Sequence, residues 1–302
     1  MFNQIFSIIA PIILIILIGY VFGRTIPVEV RQLTDVSLYI FTSALVFSTL
    51  IHTQIPTTAI LMMGTAMVML MVVLAFIAIL YGKIKRFSPD FISATLLCTL
   101  FVNSGNMGLP FNFFAYGQVG LEIASLYVLF NAVLTNSLGV FIAARGREST
   151  WSAVTTVFKM PLIYAVALAM VIRFFHIQKP QFFFRAVELL QQGCVPLLLI
   201  ILGIQISKTR IAKNWHKLAG VLFLRLLISP ALTFLICRLL GINGLLLKVI
   251  IIQSAMPVAI SSIILAIKFD TRPNYVANVV VVSTLASILT LSLILLLLET
   301  FL

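Results

Sequence analysis

The sequence predicts an all-α polytopic membrane protein, with ten transmembrane helices arranged as a 5+5 inverted repeat and with broken, crossing helices at the fourth and ninth positions. Three observations predict it. Of 302 residues, 62% are hydrophobic and only 9% charged, where a soluble domain of this size carries roughly a quarter charged residues. The basic residues sort into alternate loops. The stretch FVNSGNMGLP, residues 101–110, also finds a counterpart in IIQSAMPVAISS, residues 251–262, about 150 residues later.

A membrane-spanning helix needs about 20 mostly apolar residues. Ten stretches qualify, at 3–23, 33–51, 58–81, 91–115, 121–143, 154–175, 184–206, 217–239, 246–267 and 274–298. The first is read as a span and not a signal peptide, because it has no basic leader and Arg24 follows without a small-residue cleavage site. Pro56 marks the turn between the second and third. The sixth is the weakest, since Lys159 and Arg173 bracket it and must snorkel to the interfaces. Of the 20 Lys and Arg residues, 14 follow odd-numbered spans and 5 follow even-numbered ones. Basic loops stay in the cytoplasm, so both termini are expected outside. The net charge of +12 is this asymmetry and not a nucleic-acid footprint.

Residues 1–150 and 151–302 therefore form two five-helix repeats. An odd number of spans per repeat inverts the second relative to the first, as in many secondary transporters. Arg31 and Asp35 open the second span, as Arg185 and Glu188 open the seventh. Pro110 and Pro257 fall at matching places in the fourth and ninth.

Broken backbone at membrane depth is tolerated only where protein or a water-filled cavity covers it. Inverted-repeat carriers put such breaks near the midplane, where free amides attract anions and free carbonyls attract cations. Gly105, Gly108, Pro110 and Pro257 supply the crossover and its hinges. Asn103, Ser104, Asn106, Gln253, Ser254 and Ser261 supply hydrogen-bonding groups for a substrate. Carbonyls together with Asn106 and Gln253 make a candidate sodium site. Arg225, inside the eighth span, is a candidate second anchor for an anion or a protein-paired charge.

Enzyme chemistry finds little support. There is no H-E-x-x-H or G-x-S-x-G motif, and no histidine near the polar core. The three cysteines, Cys98, Cys194 and Cys237, lie in apolar stretches and read as small buried hydrophobes. No cofactor or metal centre is expected. None of the eight acidic residues sits centrally in a span, which weakens a proton antiporter built on a midplane carboxylate pair. His52, His176, His216, Trp151 and Trp215 read as interfacial residues.

At these motifs the chain resembles the auxin efflux carrier family, which holds plant PIN carriers and bacterial malate and malonate permeases. N-x-x-N-M-G-L-P, from Asn103 to Pro110, looks like the family's fourth-helix signature. SAMP at 254–257, with Lys268-Phe269-Asp270 and Pro273 beyond it, resembles the ninth-helix region of PIN proteins. The resemblance covers essentially the whole chain. It implies a scaffold of helices 1, 2, 6 and 7 beside a transport domain of helices 3–5 and 8–10, moving as an elevator. It also implies a small organic carboxylate as substrate (malate, malonate or auxin-like), with Asn103 on the carboxylate. A homodimer through helices 2 and 7 and a plasma (bacterial inner) membrane location complete the expectation. Ser43 and Ser262 stand where many members carry proline. The alternative is a sodium-coupled organic anion symporter of the bile-acid type, and coupling to sodium or protons stays open.

Overall fold

The computed structural model describes residues 2–144, 160–175, 177, 181–208 and 218–302, with side chains from residue 10 onward. Residues 145–150 of the stretch 144–150 expected to link the repeats, together with Lys159, Trp151, Trp215, His176 and His216, lie outside the described residues. The described chain is helical, and its extended pairing is a single antiparallel bridge between Val102 and Val258.

Helix α1 spans Phe2–Thr25, α2 Val30–His52, α3 Thr57–Ile84, α4 Pro89–Leu100 and α5 Ser104–Ala143. Then come α6 at Pro161–Phe174, α7 at Gln181–Lys208 and α8 at Ala219–Leu239. The last three are α9 at Gly244–Ser254, α10 at Ile260–Lys268 and α11 at Pro273–Phe301. Six of them, α2, α3, α5, α7, α8 and α11, are long and apolar enough to cross a membrane. The protein is thus a multi-pass membrane protein. On α3, the exposed Leu61, Val68, Val72, Phe76 and Leu80 make a lipid-facing stripe, while Met63, Met67, Leu70 and Leu74 turn inward.

The fourth and ninth predicted spans are each split in two. At 1.5 Å per residue, the 12 residues of α4 and the 11 of α9 reach about 16–18 Å. That is little more than half of a hydrocarbon core about 30 Å thick. Pro110 and Pro257 do not act alike. Pro110 lies within α5, just after the wide π-type turn Ser104–Gly108, whereas Pro257 lies in the break itself. A single residue separates the far half of the fourth span from the fifth. Gly117, at φ 64° and ψ −154°, bends α5 where the sequence reading expected a short loop.

Two groups of helices pack internally. In one, α7 lies along α1 and α2, and α2 packs on α6. The α1–α7 crossing is close because Gly19 and Gly203 face each other's backbones. A methyl group on Gly19 would meet Ile200 O, and one on Gly203 would meet Ile16 O. Small residues at such positions let membrane helices approach closely. Every residue of α2 from Thr42 to Leu50 is buried. In the other group α3 packs on α4 and α8, α8 on α9, α9 on α5, and α11 on α10 and α4. The first turn of α5 bridges the groups by packing against α7.

Candidate substrate site at the helix crossover

The two breaks cross and hydrogen-bond to each other. Asn103 N donates to Pro257 O at 2.8 Å, and Ala259 N donates to Phe101 O at 3.0 Å. The remaining backbone of the breaks is met by side chains from distant helices. Val258 N donates to Ser283 Oγ of α11 at 3.1 Å. Asn131 Nδ2 of α5 donates to Val102 O at 3.1 Å and to Ser104 Oγ at 2.9 Å. This is the protein cover that irregular backbone requires in a membrane.

Four half-helix ends meet here. The C-terminal ends of α4 and α9 are occupied. Ser262 Oγ donates to Leu97 O at 3.0 Å. The fully buried Arg225 donates through Nη1 to Thr99 O at 2.7 Å, and through Nη2 to Ser229 Oγ at 2.7 Å and to Ser254 O. Ser229 Oγ also reaches Ser254 O at 3.0 Å. Arg225 is delivered by a wide, π-type turn at Leu224–Ile228, a local irregularity that often marks functional positions.

The N-terminal ends of α5 and α10 are different. Neither Asn103 nor Ala259, at the cap positions, caps its helix with a side chain, and the first amides of a helix have no intrahelical partner. Asn103 is buried, and its Nδ2 has no partner among the described residues. A methyl group built on Gly105 would meet nothing within 4 Å. The α5 opening therefore combines an uncapped, positive helix end, the unpartnered Asn103 Nδ2 and free space, which together suit a carboxylate. It lies where α5 packs on α7, at the boundary between the two helix groups. A polar cavity of about 390 Å³ lies on the same boundary, lined by residues that include His52 of α2, Glu122 of α5 and Glu188 of α7.

The sequence-expected residues divide between the two sides. Asn103, Ser104, Gly105 and Asn106 begin α5, and Ser261 begins α10; of these Gly105, Asn106 and Ser261 are half-buried. Gln253 and Ser254 lie on the α9 side, fully buried. Gln253 Nε2 donates to Ala124 O at 3.4 Å, and its side chain fills the space over Gly108. Ser254 Oγ donates to Ile251 O of its own helix at 2.8 Å. Cys98, Cys194 and Cys237 are free and buried, as expected.

Sequence reasoning did not single out Asn131, Ser229 or Ser283. The available signal was a polar side chain deep in an apolar span, which is costly unless it finds a partner. Asn112 is a further case, buried with Nδ2 on Gly108 O at 2.8 Å.

Comparison with known proteins finds membrane transporters. An uncharacterized transporter of Methanocaldococcus jannaschii is 24% identical over 300 residues, covering 95% of this chain and 96% of its own. An uncharacterized transporter of Methanothermobacter thermautotrophicus is 24% identical over 290 residues, covering 94% and 95%. The family model described as "Membrane transport protein" matches residues 4–295, so the chain belongs to that family of membrane transporters, the auxin efflux carrier family.

Proposed function

We propose that the protein is a secondary carrier of small organic carboxylate anions, of the malate, malonate or auxin-like class, and not an enzyme. The substrate carboxylate binds at the N-terminal opening of α5, with Asn103 Nδ2 and the amides of the first turn as donors. Ser104, Asn106 and Ser261 are the other polar groups at the two N-terminal ends. The observation that carries this reading is the unpartnered amide of Asn103 at an uncapped, positively polarised helix end beside open space.

Movement follows from the packing. The group α3–α5 with α8–α11 carries the crossover, and α1, α2, α6 and α7 form the fixed scaffold against which it slides as an elevator. The ten-span inverted repeat, with both termini outside, is the topology this motion needs. The carrier acts in a plasma membrane, and a homodimer through α2 and α7 would hold the scaffold still. Proton coupling has titratable groups available at the boundary in His52, Glu122 and Glu188.

Reconstitution in liposomes tests the proposal. Uptake of labelled malate, malonate or indole-3-acetate is expected for the wild type. It should fall about ten- to a hundredfold in Asn103→Ala, the loss of one hydrogen bond to a charged group. Equal uptake in the two proteins would remove Asn103 from the site. Absence of flux for every acid would remove the substrate class.

A further inference from the structure

The side of the crossover where a coupling cation would sit is filled by Arg225. In carriers with broken helices, the carbonyl ends of half-helices are where sodium or a proton is held. Here the last carbonyls of both half-helices, Thr99 O of α4 and Ser254 O of α9, accept hydrogen bonds from one guanidinium. Arg225 is 1% exposed, and none of its hydrogen-bond partners among the described residues is a carboxylate. A buried charge without a counter-ion is expensive, by several kcal/mol. Something else must compensate it, and the two helix ends can. Each helix C-terminus carries about half a negative charge, so two of them together balance one cation.

We infer that Arg225 is a tethered cation of the crossover. Its positive charge takes the place of a bound sodium ion, holds α4 and α9 end to end through their terminal carbonyls, and leaves the crossover with no requirement for a cation from solution. Arg225 is a positioning residue, and its charge stays with the helix group that carries the site. The candidate sodium site near Asn106 and Gln253 is then not needed. The inference rests on the carrier reading only for its consequence in transport, since the electrostatic role is a property of the fold.

The test uses full-length protein in detergent and three sequences: wild type, Arg225→Lys and Arg225→Gln. Thermal unfolding midpoints are compared in sodium chloride and in choline chloride at equal ionic strength, each with and without millimolar guanidinium chloride. The wild type is expected to show one midpoint in sodium and in choline. Arg225→Gln, neutral and of similar reach, is expected to drop in midpoint or fail to fold. Where it folds, guanidinium or sodium should restore part of the loss. Arg225→Lys keeps the charge and is expected to fold with a midpoint between the other two. The inference is overturned if Arg225→Gln matches the wild type, or if Arg225→Lys falls as far as Arg225→Gln. A wild-type midpoint that rises in sodium over choline would also overturn it. None of these readouts needs a substrate, so a failed carboxylate flux would sink the carrier reading and leave this result standing.

Discussion

The two sides of the crossover are built from the same backbone parts and finished in opposite ways. On the C-terminal side, Arg225, Ser229 and Ser262 donate to the carbonyls of α4 and α9, and nothing is left for a ligand to do at Thr99 O or Ser254 O. On the N-terminal side, neither α5 nor α10 has a side-chain cap, and Asn103 Nδ2 has no partner among the described residues. Unmet donors in a buried place are costly. The proposed carboxylate site rests on this contrast, since a positively polarised, uncapped helix end with a free donor suits an anion.

That contrast can be broken from either side, and the expected losses of stability decrease in a definite order. Arg225→Met should cost the most, about 2 kcal/mol or more, because Thr99 O is left buried without a donor. Recovered desolvation of the charge offsets part of this loss. Asn131→Ala strips Val102 O of its donor and Ser283→Ala strips Val258 N of its acceptor. Each should cost about 1–2 kcal/mol, read as a fall in the thermal midpoint of purified protein. Asn103→Ala should cost no stability, and should gain some, since its Nδ2 gives up no bond and a costly unmet donor is removed, while flux collapses. Gly105→Ala should be the mildest, neutral or stabilising by a few tenths of a kcal/mol. It puts a methyl group into the opening, so uptake should still fall severalfold. Stability that tracks flux across this series would mean that both sides are structural.

The sequence carried the break itself, because two glycines, two asparagines and a proline within FVNSGNMGLP conflict with helix at short range. It carried Arg225 as an anomaly, because a charge inside an apolar span is visible without any structure. It did not reveal what Arg225 does, since its partners Thr99 and Ser254 lie far away along the chain. Asn131 and Ser283 stayed hidden for the same reason: a lone Asn or Ser in a span gives no hint of which backbone group it serves. The α1–α7 approach went unread, because nothing along the chain pairs Gly19 and Gly23 of α1 with Gly203 of α7 before the fold brings them together.

The most direct test of the central claim is equilibrium binding of a carboxylate to purified protein by titration calorimetry, in wild type and in Asn103→Ala, with thermal midpoints measured on the same samples. The account predicts saturable binding to the wild type, at least tenfold weaker binding to the variant, and a variant midpoint no lower than that of the wild type in the absence of ligand. Equal binding by both proteins, or a variant that loses binding only because its unliganded midpoint has dropped, would contradict it.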